Sequence, residues 1–532
     1  MHLKSIVRSC IEKSLKQISV DEINFTVEVP RLEKFGDFST NVAMKLSPVL
    51  KKDPGSIAEE LASILEGFDV FESLNVAKPG FINFKISNYK FGHALKKIEN
   101  MGFSKRSGGE KILVEYGSAN PTGPLHVGHG RNIVVGDIVA NMLSFMGCNV
   151  EREYYINDAG VQIDNLALSL QARCREQMGE ELSLPENGYG GQYMVDMAKE
   201  FMVEHGEVGL TNSELVRKFA LEWSLNNISN TLDNLGVRYD SWVSEASLHE
   251  GKAFEDMLAH LKKEDLTYEE GGALWSKTTK YGDDKDRVIV KSDGTSSYYA
   301  SDILYSKNKV DRGFKKMVTM LGADHHGYVI RFDATFSMWG AFNSSILIQM
   351  VQLYKGKELV KMSKRAGQFY TLNDLLGEVE SDVVRAFFLM RKSDTPLDFD
   401  LDLAKSKSNE NPYYYVQYAH ARIASILREE EALLDLESSK DYIFTSKDEK
   451  NLIKALDEFW NVVEEVKANY SVHLILSYAK DLSSLFHTFY GNNRVLVDDQ
   501  LVKQSRLALI LQTQRALGAL LKIMGITPLE RM

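Results

Sequence analysis

The sequence predicts an α/β protein in three parts. A small α+β domain covers residues 1–108, a parallel-sheet domain covers 109–400 with an inserted segment at about 160–290, and an all-α helical bundle covers 401–532. Three observations predict this. Between Glu110 and about residue 390, apolar strand-like runs alternate with helical ones, the signature of a parallel sheet. Ahead of that region, helical spacing mixes with one cleanly alternating strand. Behind it, from about residue 401, the apolar spacing is helical almost throughout.

The elements follow in order. Ile6–Ile18 and Ile57–Leu65 carry helical spacing, and Phe81–Ile86 alternates apolar with polar as a half-buried strand does. Lys105-Arg106-Ser107-Gly108-Gly109 reads as a linker. Lys111–Tyr116, Val150–Ile156, Arg287–Lys291 and Met317–Leu321 are the strand-like runs assigned to the sheet. The inserted segment holds amphipathic helices and a β-rich end, and Leu501–Met524 closes the chain as a helix. There is no internal repeat and no low-complexity tract.

Composition sets bounds. A chain of 532 residues with 44% hydrophobic content builds several cores. The net charge of -11, from 63 basic and 74 acidic residues, argues against a uniformly basic nucleic-acid binder but not against a local basic groove. Cys10, Cys148 and Cys174 have no paired spacing, which excludes a disulfide framework and a Cys-rich zinc site and points to a reducing cytoplasm. The N-terminus lacks a secretory apolar core. No apolar run spans a bilayer, since even Leu507–Ile526 contains Gln512, Gln514, Arg515 and Lys522. A cytoplasmic protein without a membrane partner is expected.

The densest chemistry lies at residues 118–132, Ser-Ala-Asn-Pro-Thr-Gly-Pro-Leu-His-Val-Gly-His-Gly-Arg-Asn. An apolar run ending in Glu115 precedes it, and Ile133–Ala140 follows as a buried helix. The order is strand, Gly/Pro-rich loop, helix, with His126 and His129 at the helix start. Amides and dipole at such a start favour anions, and Gly128 leaves bare backbone for a base or ribose. A nucleoside triphosphate fits. A second signature, Lys361-Met362-Ser363-Lys364-Arg365, lies far downstream. Alone it reads as a solvated basic loop. Placed between the α/β and helical regions, its two lysines suit a mobile loop that closes over a triphosphate.

Together the two signatures resemble those of class I aminoacyl-tRNA synthetases. His126-Val127-Gly128-His129 resembles the HIGH motif, and Lys361–Arg365 resembles KMSKS with Arg at its last position. The flanking residues resemble arginyl-tRNA synthetases: Glu115–His126, Tyr298-Tyr299-Ala300-Ser301-Asp302 and Gly322-Ala323-Asp324-His325-His326-Gly327-Tyr328. The likeness reaches Gly36–Ala43 and Lys78–Phe84 in the N-terminal part, Asn411–Arg422 at the bundle entry, and Gly525–Met532 at the end.

The resemblance implies a Rossmann-like catalytic domain that ligates L-arginine to its tRNA through an arginyl-adenylate. ATP with Mg²⁺ is the expected substrate complex, no protein-bound zinc is expected, and a monomer is expected. It implies His126, His129, Lys361 and Lys364 as catalytic residues. ATP contacts are implied at His126, Gly128, His129, His326, Lys361, Met362, Ser363 and Lys364. Arginine contacts are implied at Glu115, Ser118, Asn120, His129, Tyr298, Asp302 and His326. A guanidinium is planar, permanently charged and rich in donors, so carboxylates and a hydroxyl suit it. Tyr298 and Asp302 stand four apart and would share a helix face toward it. Which end of arginine Glu115 and Asn120 each meet is left open. Phe81, Asn83 and Tyr490 are implied tRNA contacts, Tyr413, Tyr414, Tyr415, Tyr418 and Trp460 are further candidate aromatics, and bound tRNA is expected to be needed for activation.

A zinc reading of Asp324, His325 and His326 with the first histidine pair is disfavoured. No HExxH or cysteine set is present, and adjacent histidines on an extended chain point apart. Two rivals share some features: another HxGH nucleotidyltransferase, which predicts a shorter chain without a helical domain, and a non-catalytic RNA-binding protein derived from a synthetase, which predicts lost catalytic residues. A dinucleotide oxidoreductase lacks its third glycine here.

Overall fold

The structure is a computed structural model that describes residues 2–30, 32–356, 358–360, 370–429 and 441–532. Its first part runs α1 (Leu3–Gln17), β1 (Val27–Glu28), β2 (Phe38–Thr40), α2 (Val42–Leu50), α3 (Pro54–Leu65), β3 (Phe71–Ala77), β4 (Phe81–Ile86) and α4 (Asn88–Met101). The strands form an antiparallel sheet in the order β1-β2-β4-β3. Local sequence explains the elements. Asp53 accepts the Ser56 amide at 2.9 Å and Pro54 opens α3, so the helix starts there. Ile57, Ala58, Leu61 and Leu65, at helical spacing, are its buried stripe.

The central part begins with β5 (Lys111–Glu115), α5 (Val127–Phe145) and β6 (Asn149–Ile156). Three helices follow, α6 (Val161–Gln177), α7 (Gln192–Gly209) and α8 (Ser213–Leu235), then β7 (Ser241–Ser244), α9 (Glu245–Leu248) and α10 (Ala253–Lys263). A three-stranded antiparallel sheet comprises β8 (Thr267–Glu270), β9 (Ala273–Ser276) and β10 (Arg287–Val290). Then come α11 (Tyr298–Asp311), β11 (Lys316–Gly322), a 3₁₀ turn at Ala323–Tyr328, α12 (Val329–Met338) and β12 (Phe342–Ile348).

The Rossmann-like core is a parallel sheet in the order β12-β11-β5-β6-β7. The chain leaves β5 toward β6 on one side, while β11 returns on the other, so a crevice opens beyond the carboxyl ends of β5 and β11. Ile112, Leu113 and Val114 are fully buried, as a strand covered on both faces must be. One expected sheet strand goes elsewhere. Arg287–Val290 pairs antiparallel with β9 outside the parallel sheet, because Gly282 and the acidic turn that follows send it back along its neighbour. The stretch at 160–290 also contains β7, an edge strand of the core sheet. Helices α6–α8 carry a separate core built on Leu166, Leu170, Met194, Phe201 and Val216.

A small sheet of β13 (Val351–Lys355), β14 (Glu358–Leu359) and β15 (Leu397–Asp400) follows, with α13 (Leu372–Glu378) and α14 (Ser381–Phe388) between its strands. The helical part comprises α15 (Leu401–Lys405), α16 (Pro412–Glu429), α17 (Lys447–Asp457), α18 (Phe459–Asn469), α19 (His473–Asn492) and α20 (Gln500–Ile523). One continuous hydrophobic core joins α1–α4, the sheet with α5, and the helical part. The tail is pinned at buried Arg385, which donates to the Met524 carbonyl at 2.8 Å and ion-pairs with Asp137 on α5. Gly525 turns there at φ +69, and a Cβ would lie 2.1 Å from the guanidinium. Among the described residues no helix is long and apolar enough to cross a membrane.

Candidate active site

The site is organised at the end of β5. Gly117 takes φ +83 to turn the chain out of the strand, and its amide is held by Asn132 Oδ1 at 2.8 Å. The loop then runs to His126, which caps α5. His126 Nδ1 accepts the amides of Gly128 at 3.1 Å and His129 at 3.3 Å, and His129 Nδ1 accepts the His126 amide at 3.3 Å. The two rings stack with centroids 3.6 Å apart. A ring nitrogen that accepts an amide proton carries none, so the proton of each neutral ring sits on Nε2, which donates. The Gly128 and His129 amides at the start of α5 serve the His126 ring. A Cβ at Gly128 would lie 3.0 Å from that ring and crowd the cap.

The chain after the second signature returns to the same place. Thr371 pairs with His126 in an antiparallel bridge, and the Leu372 amide donates to the Leu125 carbonyl at 2.7 Å. Lys361, Met362, Ser363 and Lys364 lie outside the described residues. Arg131, fully buried one turn into α5, donates to the carbonyls of Gln349, Thr395 and Lys392 at 3.0, 2.8 and 2.9 Å. It fixes the helix start on the loops around β13 and β15. Burial pulls its guanidinium down to about 10.

Acidic groups gather around α11. Glu115 at the end of β5 is 8% exposed and ion-pairs with Lys309 of α11, itself fully buried. Lys309 lies 3.9 Å from Glu153, which Tyr305, Ser241 and Arg312 hold at 2.7, 2.9 and 2.5 Å. Asp302, one turn into α11, pairs with Arg331 of α12 at 3.1 Å. Desolvation first raises the Asp302 carboxyl to about 6; Arg331 opposes that, while Glu245 and Glu115 add to it. Tyr298 opens α11 and is 93% exposed, whereas its neighbour Tyr299 is buried with its hydroxyl 3.0 Å from Thr335.

The remaining predicted residues surround this cluster. Ser118 Oγ accepts the Tyr155 amide at 3.1 Å, and Asn120 Nδ2 donates to Gln162 of α6 at 2.8 Å. Tyr193 of α7 donates to the Thr122 carbonyl at 2.8 Å, so the inserted helices brace the loop before His126. His325 and His326 follow β11 as expected, but on the 3₁₀ turn rather than on extended chain, and both are exposed. Among the described residues no group of three His, Cys, Asp or Glu side chains is placed to hold a metal ion. Lys309, Arg331 and Arg131 were missed from the sequence. Only Arg131 carried a signal, its place directly after His129-Gly130.

Two surfaces lie away from the crevice. A cleft between the N-terminal sheet and α17 is lined by Asn83, Lys34, Lys85, Lys450 and Lys454. Asn83 is 4% exposed, and its Nδ2 has no hydrogen-bond partner among the described residues. Phe81 is 37% exposed at the start of β4. On the helical part, Tyr490 stacks on Phe486 at 5.9 Å, and the Arg422 guanidinium lies 5.1 Å from the Tyr490 ring. Tyr418 is exposed nearby, whereas Tyr413 and Trp460 are buried.

Comparison with known proteins agrees along the whole chain. The arginyl tRNA synthetase N terminal domain model matches residues 1–86, the tRNA synthetases class I (R) catalytic domain model matches 93–395, and the DALR anticodon binding domain model matches 416–532. The arginine--tRNA ligase of Shouchella clausii is 44% identical over 523 residues, covering 95% of this chain and 94% of that protein. That of Bacillus subtilis is 42% identical over 526 residues, covering 96% and 94%. The solved arginyl-tRNA synthetase of Thermus thermophilus superposes with a TM-score of 0.74 at 22% identity, over 99% of this chain and 100% of that one, which speaks to the fold.

Proposed function

The chain belongs to the arginyl-tRNA synthetase family, and from that premise we propose how its residues divide the work among arginine, ATP and tRNA. The enzyme ligates L-arginine to tRNA with ATP through arginyl-adenylate. In the first step the arginine carboxylate attacks the α-phosphorus and pyrophosphate leaves. In the second, the terminal ribose hydroxyl of tRNA takes the arginyl group. The first nucleophile is already an anion, so the protein's task is positioning and charge stabilisation rather than proton abstraction.

His126 and His129 donate from Nε2 to phosphate oxygens, and Gly128 admits the nucleotide. Lys361 and Lys364, with Met362 and Ser363 between them, close over the departing pyrophosphate; the anchoring of Thr371 at His126 supports this. Mg²⁺ enters with ATP as part of that substrate, and no step is assigned to it. Asp302 and Tyr298 take the guanidinium, with Tyr298 swinging in from its exposed position. Glu115, Ser118 and Asn120 face the rest of the amino acid, and His129 and His326 stand between arginine and adenosine. Phe81 and Asn83 contact the tRNA elbow, and Tyr490 an anticodon base. The enzyme acts as a cytoplasmic monomer, and the boundaries at residues 108 and 400 belong to the same reading.

The observation that supports the assignment is that β5 ends in a carboxylate belonging to an acidic cluster while the helix that follows it opens on two stacked imidazoles. The donors suit a triphosphate. The cluster of Asp302, Glu115 and Glu245 suits a cation. The test is Asp302→Ala. It should raise the arginine KM by roughly two orders of magnitude, the scale for losing a charge-assisted pair in a desolvated site, and leave the ATP KM unchanged. An unchanged arginine KM removes Asp302 from the pocket.

A further inference from the structure

Arg331 does something at Asp302 that packing does not require. Its Nη2 donates to Oδ2 of Asp302 at 3.1 Å and makes no second contact with that carboxylate. The other oxygen, Oδ1, accepts no hydrogen bond from any described residue, and the Asp302 side chain keeps 30% of its surface exposed. Ring faces hold the Arg331 head group in place. Its guanidinium carbon lies 4.1 Å from the Tyr328 centroid and 5.6 Å from that of Tyr299. Its Nε is buried with no hydrogen-bond partner among the described residues, and Asp302 is its ion-pair partner. The head group is stacked so that one N–H reaches one oxygen.

The charges around Asp302 give that contact a purpose. Glu245 and Glu115 are the acidic neighbours of Asp302, and Tyr155 and Tyr299 lie close to the same group. The cation acting on it is Arg331. We propose that Arg331 is a positioning residue of the arginine site, holding Oδ2 of Asp302 so that Oδ1 is presented to the guanidinium of the substrate. The inference rests on the reading that Asp302 receives that guanidinium. Without Arg331 the carboxylate would turn freely among like charges and take up a proton more readily. The sign follows from the carboxyl's position near 6. Ionised Asp302 prevails above that midpoint and is lost as pH falls through it, and arginine affinity follows. Removing Arg331 moves the midpoint up, so affinity is lost nearer neutrality.

The experiment uses the full-length enzyme and its tRNA. Arginine KM, ATP KM and kcat are measured for the parent, Arg331→Met, Arg331→Lys and Asp302→Ala across roughly pH 5.5 to 8.5. Arg331→Met should raise the arginine KM by about tenfold at neutral pH and shift the pH at which that KM climbs upward by about one unit. Its ATP KM and its kcat at saturating arginine should stay within about twofold. Arg331→Lys should restore the pH of the climb. An arginine KM raised by one constant factor at every pH would show a structural role and overturn the proposal. So would an unchanged KM, or a lowered one, which would make Arg331 a competitor of the substrate. If Asp302→Ala itself leaves the arginine KM unchanged, the underlying reading fails. If Asp302→Ala raises it while Arg331→Met matches the parent, only this inference fails.

Discussion

Replacing Lys309 by Met separates the stability of the buried network from its use in catalysis. Lys309 is fully buried and sits between Glu115 and Glu153. Met fills much of the same volume, so the main cost is electrostatic. Removing one member of a buried ion pair costs about 3–5 kcal/mol, because the partner is left charged and unpaired. Here Glu153 keeps Arg312, Tyr305 and Ser241, so the loss falls on Glu115. The lower end, about 3 kcal/mol, is therefore expected, with a fall in melting temperature of roughly 6–12 °C in calorimetry at about 2–4 °C per kcal/mol. The double variant Glu115→Gln/Lys309→Met removes the stranded charge and should recover most of that loss, since replacing both partners is close to neutral. Its arginine KM should stay raised, because Glu115 no longer presents a carboxylate to the substrate. A single variant within about 1 kcal/mol of the parent would refute the reasoning, as would a double variant no more stable than the single.

His126→Asn keeps a cap acceptor for the Gly128 and His129 amides but removes the Nε2 donor; melting should change little while arginine-dependent ATP–pyrophosphate exchange falls about 10²–10³-fold. Exchange at the parent rate would mean that the ring acts only as a cap. Tyr490→Ala should weaken tRNA binding by about 1–3 kcal/mol, measured as the tRNA KM in aminoacylation, and leave the KM values for ATP and arginine unchanged. A tRNA KM equal to the parent's would take Tyr490 out of the interface.

Much of this was legible because the site's chemistry lies in short contiguous segments. The strand ending at Glu115 and the helix beginning near His126 are written in consecutive residues, and the buried run Ile133–Ala140 could only be a covered helix. Asp302 and Tyr298 were legible through the family resemblance of residues 298–302, and helical spacing put them on one face. What the sequence hid was how charges pair. Arg331 belongs to α12 and Asp302 to α11, with β11 and the 3₁₀ turn between them, and no spacing rule links two side chains across that much chain. Lys309 was hidden for a different reason: a lysine in an amphipathic-looking helix reads as solvent-facing, yet two carboxylates from β5 and β6 draw it inside. The pairing of Arg287–Val290 failed similarly, since an apolar run shows a strand but not the partner it meets. Glu115 and Asp302, both placed by the sequence in one pocket, thus turn out to differ. Each is held through one oxygen, Glu115 by a fully buried lysine of α11 and Asp302 by an arginine of α12. What separates them is access: the Asp302 side chain keeps 30% of its surface exposed against 10% for Glu115, and a permanently charged planar donor needs a carboxylate it can reach.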